Sequence, residues 1–169
     1  DIAPEVSRYE DVLYPRLNNL PNHRLLANKL ASLENGGAAV VTASGMAAIS
    51  TTLLSVLKQG DHFLAQDCLY GGTHTFITED LGRLGIEHTF VDGADPDSWG
   101  TARRPNTRAI YVETMTNPLL QVADHGAVVE FAREHGLVSM IDNTFATPVN
   151  FRPLDLGFDF SLHSATKYL

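Results

Sequence analysis

Short apolar runs and helical stripes alternate along this chain. Leucines at 26, 30 and 33 follow helical spacing within residues 24–33, ahead of a Gly36-Gly37 stop. Residues 38–43 form a nearly continuous apolar run, the pattern of a short strand buried on both faces. Ser44-Gly45-Met46 then opens a helix over 47–57, with Ile49, Leu53 and Leu57 as its core stripe. The pattern repeats with a strand over 61–66, a helix through Phe76, Ile77, Leu81 and Leu84 stopped by Gly85, and a strand over 86–91. Residues 92–106 read as a polar loop holding Pro96, Trp99 and Pro105. A strand over 107–112 follows, then a helix from an Asp124 N-cap to His135, ended by Gly136, and strands over 137–141 and 158–162. Residues 1–23 lack periodicity and hold the turn-rich stretch Tyr14 to Pro21, so they read as an arm, with one domain over 24–169. This alternation predicts an α/β fold with a doubly wound, mostly parallel sheet.

Composition narrows the partners. A 169-residue chain with 44% hydrophobic and 19% charged residues has the makeup of an ordinary globular domain. Its formal charge of −8 offers no footprint for nucleic acid or an anionic membrane. Cys68 stands alone, so no internal disulfide forms, and the seven histidines show no metal-ligand spacing. With no signal peptide or long apolar span, a cytoplasmic protein is expected.

Chemistry gathers where strands end. Lys167 follows Ser164 and Thr166 just after the last strand, and a lysine held in a desolvated pocket can form a Schiff base with a carbonyl. On an extended segment the two hydroxyls face one side, where both can bond a phosphate. The strand, Ser44-Gly45 turn and helix offer free N–H groups and a positive helix end to an anion. Tyr70 precedes Gly71-Gly72 at a strand-to-helix crossing, Glu113 to Asn117 follow another strand, and Asp142 ends a third, where a carboxylate must face a cation or a donor. Tyr14 and Arg16, two apart in an extended segment, make a phosphate-recognition pair. Taken singly, each also fits a structural role: an exposed lysine, strand-helix punctuation, a packing tyrosine, a capping aspartate. Together, an imine-forming lysine, an acid for a pyridinium nitrogen, a stacking aromatic and a phosphate-binding helix start are what pyridoxal phosphate requires.

The motifs Tyr14-Pro-Arg16, Ser44-Gly45-Met46-Ala-Ala-Ile49, Leu69-Tyr70-Gly71-Gly72-Thr73, Glu113-Thr-Met-Thr-Asn117-Pro-Leu119, Asp142-Asn-Thr144-Phe and His163-Ser164-Ala-Thr166-Lys167-Tyr168 span nearly the whole chain. With them the chain resembles the Cys/Met-metabolism pyridoxal-phosphate enzymes: cystathionine γ-synthase, cystathionine γ-lyase, methionine γ-lyase and the O-acylhomoserine sulfhydrylases. The resemblance implies the aspartate aminotransferase-like fold type I of the PLP-dependent transferases. It implies an internal aldimine on Lys167, Asp142 paired with the pyridine nitrogen, Asn117 on the phenolic oxygen and Tyr70 stacked on the ring. The Gly45 and Met46 amides, with Ser44, Thr144, Ser164 and Thr166, complete the implied cofactor set. Tyr14 and Arg16 would extend into a neighbouring subunit's phosphate site, in a homodimer or homotetramer.

The implied reaction is β/γ-elimination or γ-replacement on a sulfur-containing or homoserine-derived amino acid. Gly72 stands where methionine γ-lyases typically carry a cysteine, and Thr75 where several cystathionine enzymes carry an arginine. Both departures count against those particular substrates. Family members continue past the lysine into further sheet and a smaller C-terminal domain, so the expectation is an interior piece of a longer protein. The alternatives are a specialised C–S lyase of secondary metabolism and a catalytically silent relative of the same fold. An aminotransferase of this fold is opposed by Tyr70-Gly-Gly-Thr and Ser164-Ala-Thr-Lys167.

Overall fold

The computed structural model describes residues 12–169, and the chain divides into two compact units, 1–41 and 42–169. Of the arm expected over 1–23, residues 1–11 lie outside the described residues.

In the first unit, Pro15–Leu17 form a single 3-10 turn that ends on Asn18 in the left-handed region. The extended Tyr14-Pro-Arg16 segment expected from sequence is therefore curled, because proline fixes a turn-compatible φ and Asn18 tolerates positive φ. Helix α1, Pro21–Glu34, starts on a proline, which loses nothing where the N–H would be unpaired, and Asn35 caps it at φ 55. The strand expected over 38–43 does not form: residues 38–42 have no regular structure and Val40 is 78% exposed. An apolar run becomes a strand only against a partner's backbone, and the Val41 carbonyl is taken by the Asn18 side-chain amide at 2.8 Å.

The second unit is a five-stranded sheet built from β1 (His62–Gln66), β2 (Glu87–Val91), β3 (Thr107–Glu113), β4 (Val138–Asp142) and β5 (Phe160–Leu162), in the order β2-β1-β3-β4-β5. All four pairings are parallel. Side chains two apart share a face, which sorts the core into two layers. Phe63, Ala65, Ala109, Tyr111 and Met140 pack with Ile49, Leu53 and Leu57 around α2 (Gly45–Val56), and with Ile77 and Leu81. Leu64, Ile110, Val112 and Ile141 pack on the opposite face with Trp99, Val128 and Ala132. Helices therefore cover both faces, as the alternation predicted.

The connection after β1 holds α3 (Gly71–Thr75), continued by a π-helical stretch, Phe76–Leu81. The expected polar loop over 92–106 instead contains α4 (Pro96–Ala102), opened by Pro96 and anchored by the fully buried Trp99. Its indole N–H donates to the Asp92 carbonyl at 2.7 Å and its ring meets Phe131 edge-on at 5.6 Å. One large side chain, contributing about 1.5–3 kcal/mol on burial, suffices to dock a short helix. Helix α5 (His125–His135) runs as its caps dictate, with Asp124 Oδ1 accepting from the Ala127 N–H and Gly136 at φ 63. Two single-turn helices, α6 (Thr147–Asn150) and α7 (Pro153–Leu156), link β4 to β5.

Candidate functional site

Parallel strands send their carboxyl ends to one edge of the sheet, and ligands of open α/β sheets bind there. A cavity of about 290 Å³ lies at that edge in the second unit. Ser44, Gly45 and Met46 line it from the start of α2, Tyr70 from the start of α3, and Asn117 and Asp142 from beyond β3 and the end of β4. Thr144, Ser164, Thr166 and Lys167 close it from the segments that follow. All ten candidate residues in the second unit thus share one crevice. Tyr14 and Arg16 belong to the first unit, where the Arg16 guanidinium donates to the Tyr14 hydroxyl through both Nε, at 3.1 Å, and Nη2.

The helix start is shaped to receive an anion. Ser44 caps α2 by accepting the Ala47 N–H at 3.0 Å, which leaves the amides of Gly45 and Met46 as the donors the first turn offers. Gly45 packs directly on Ser164: a Cβ there would lie 2.6 Å from Ser164 Cβ and 3.0 Å from its Cα, so only glycine fits. Ser164 is fixed in turn by its N–H, which donates to Thr144 Oγ1 at 2.8 Å. Ser164 and Thr166 hydrogen-bond each other at 3.1 Å. They stand together because residues 164–167 turn, with the Lys167 N–H donating to the Ser164 carbonyl at 3.1 Å, and not because the segment is extended as expected. Lys167 lines the cavity from this turn.

Two carboxyls also line the cavity. Asp142 and Glu113 are register partners at the ends of β4 and β3. Burial raises the Asp142 carboxyl above its ordinary range, opposed by hydrogen bonds from Thr144, whose N–H donates to Asp142 Oδ1 at 2.9 Å, and by the His163 charge. Burial pushes Glu113 up to about 7; N–H bonds from Tyr70 and Asn117 work against this, while the Asp142 charge adds to it. A buried acid pair of this kind favours a cation or a proton donor between it and the cavity. Tyr70 is half exposed, and its ring edge and Met46 Sδ both lie close over Gly72.

The cavity wall also includes Glu113 and Met115, placed at this edge from sequence only as part of the stretch 113–117 and given no role there, and Ile49 and Phe145, which were not assigned to the site. Glu113 carried the signal used for Asp142, an acid closing an apolar run. The others gave none, since apolar residues after a strand look the same in a core and in a pocket wall. Among the described residues, no group of three or more His, Cys, Asp or Glu is placed to hold a metal ion, and no helix is long and apolar enough to cross a membrane.

Known proteins resemble this chain in sequence and fold. A cystathionine β-lyase of Bacillus subtilis is 50% identical over 149 residues, covering 88% of this chain and 38% of that protein. An L-methionine γ-lyase of Fusobacterium nucleatum is 47% identical over 158 residues, covering 93% and 40%. Among solved structures, a cystathionine γ-lyase of Lactobacillus plantarum complexed with L-serine superposes with a TM-score of 0.93 at 39% identity, covering 99% of this chain and 43% of that one. A Campylobacter jejuni protein solved with N'-pyridoxyl-lysine-5'-monophosphate gives 0.86 at 37% identity, covering 89% and 37%. The chain spans less than half the length of these relatives. Residues 4–169 match the family described as Cys/Met metabolism PLP-dependent enzyme, and the chain belongs to that family.

Proposed function

We propose that the protein carrying this chain is a PLP-dependent enzyme of sulfur amino acid metabolism, acting by β/γ-elimination or γ-replacement on a cysteine-, homocysteine- or homoserine-derived amino acid. One observation carries the reading: a lysine, a buried carboxylate and a glycine-opened helix start with two hydroxyls line a single cavity at the carboxyl ends of the strands. The donor set fits the cofactor, since a buried Asp142 calls for a protonated nitrogen opposite it and the Gly45–Ser164 cradle for an anion. The names of the relatives support the substrate class.

In this reading the Gly45 and Met46 amides and the Ser164 and Thr166 hydroxyls hold the phosphate, and Ser44 and Thr144 fix the two segments that carry them. Asp142 holds a proton on the pyridine nitrogen, Asn117 donates to the phenolic oxygen, and Tyr70 covers the ring face. Lys167 would be the attachment point and, when its amine is free, the base that takes the substrate's α-proton and returns it. Bound PLP supplies an electron sink that makes this proton acidic. Tyr14 and Arg16 serve the phosphate site of a neighbouring subunit in a homodimer or homotetramer, and the protein works in the cytoplasm.

The test is an absorbance spectrum of the intact protein from the near ultraviolet to the blue, before and after borohydride, with peptide mapping. A yellow band that reduction moves onto Lys167 is expected, and Lys167→Ala abolishes both band and turnover. No band after adding PLP, or an adduct on another residue, overturns the reading. A panel of thiol-releasing amino acids then separates elimination from replacement.

A further inference from the structure

Glu113 is the one ionisable side chain in the cavity wall to which the mechanism above gives no task. It is 5% exposed, ends β3 beside Asp142, and spends its carboxylate on main chain. Oε1 accepts the Tyr70 N–H at 2.8 Å across 43 residues of sequence. This amide belongs to the residue placed over the ring face. Two residues back on the same face of β3, the fully buried Tyr111 turns its hydroxyl toward that of Thr73, on the turn that Tyr70 opens, without reaching full hydrogen-bond geometry. The strand end therefore grips the Tyr70-Gly71-Gly72-Thr73 turn from below, and Glu113 makes the stronger hold. Without it, the Tyr70 N–H at the start of α3 would have no acceptor, since the first amides of a helix lack intrahelical partners. Gly71 and Gly72 follow, and glycines stiffen a turn little.

We infer that Glu113 is a positioning residue for cofactor binding: its carboxylate ties the Tyr70 turn to the end of β3, so that the Tyr70 side chain meets the cofactor in a fixed place. This rests on the PLP reading above and assigns Glu113 no contact with the cofactor itself.

The experiment titrates PLP into the intact protein and three variants, Glu113→Gln, Glu113→Met and Tyr70→Ala, and into the Glu113→Met/Tyr70→Ala double variant. Affinity and the visible circular dichroism of the bound cofactor are read, with thermal unfolding as a check on folding. Glutamine keeps an acceptor at the same length, whereas methionine keeps the volume and removes it. Losing a charge-assisted hydrogen bond that orders a binding group is expected to weaken PLP about tenfold in Glu113→Met and to change the dichroism, with Glu113→Gln within about threefold of wild type. In the Tyr70→Ala background Glu113→Met then adds little, because the group it positions is gone. Equal losses in the Gln and Met variants, or losses that add fully to Tyr70→Ala, overturn the positioning role while PLP binding by wild type stands. Wild-type protein that binds no PLP overturns the reading beneath it instead.

Discussion

The two ends of the sheet bury titratable side chains in opposite ways. At the amino end, His62 is fully buried with both ring nitrogens engaged: Nδ1 to Thr107 Oγ1 at 2.8 Å and Nε2 to Thr89 Oγ1 at 2.9 Å. Burial lowers its pKa to about 4, with the Arg104 and His88 charges acting in the same direction and Glu87 against. At the carboxyl end, Glu113 and Asp142 stand side by side, both raised by burial, and face a cavity. A saturated buried group serves the fold. Two like-charged groups whose remaining capacity points into open space serve a ligand, since burial without pairing is costly.

The sharpest test of the first half of this contrast is acid. Between 6.5 and about 4 the unfolded chain takes up a proton on His62 that the folded chain refuses. Its contribution is present above pH 6.5 and lost as pH falls to about 4, a change of about 3 kcal/mol in unfolding free energy. Denaturant unfolding across this range checks it, and His62→Gln should flatten the slope; an unchanged slope would assign the acid step to other groups. For the other end, Gly45→Ala should cost about 1–3 kcal/mol, because the new Cβ meets Ser164 main chain at 3.0 Å. The cost should appear mainly as lost PLP affinity, read by titration, because α2 and Ser164 meet at the cavity. Asp142→Asn comes next: PLP weakens at least about tenfold while the unfolding midpoint stays or rises, since a carboxyl whose charge is disfavoured by its surroundings has been removed. A falling midpoint with unchanged affinity would make Asp142 another His62 and end the comparison.

The centre of the sheet was legible because β1, β3 and β4 are buried on both faces over most of their length and bounded by turn residues, so a run such as 137–141 has few other readings. Helix α5 was legible to its ends because Asp124 and Gly136 carry their capping chemistry in their own side chains or lack of one. The strand over 38–43 and helix α4 were misread for one reason: both outcomes depend on a partner distant in sequence, an absent ladder in one case and the packing of Trp99 in the other. The site was readable as a set of strand ends, and ten of its residues converge in the cavity. What local spacing did not carry was the fastening between those ends, such as Thr144 holding the Ser164 amide and Glu113 holding the Tyr70 amide.

Gly72 tests the finest part of the site. A Cβ on this residue would lie 2.6 Å from Tyr70 Cε1 and 3.2 Å from Met46 Sδ, both of them movable side-chain atoms. Gly72→Ala should therefore leave the fold intact and swing the Tyr70 ring off its seat, weakening PLP by about threefold or less, since a ring can rotate where a backbone cannot. The thermal midpoint should not fall, because alanine is the better helix former at this position within α3. The change should register in the visible circular dichroism of the bound cofactor before it registers in affinity. A tenfold loss would show that the Tyr70 seat is as unyielding as the Gly45–Ser164 contact, and that the cavity is rigid on both sides.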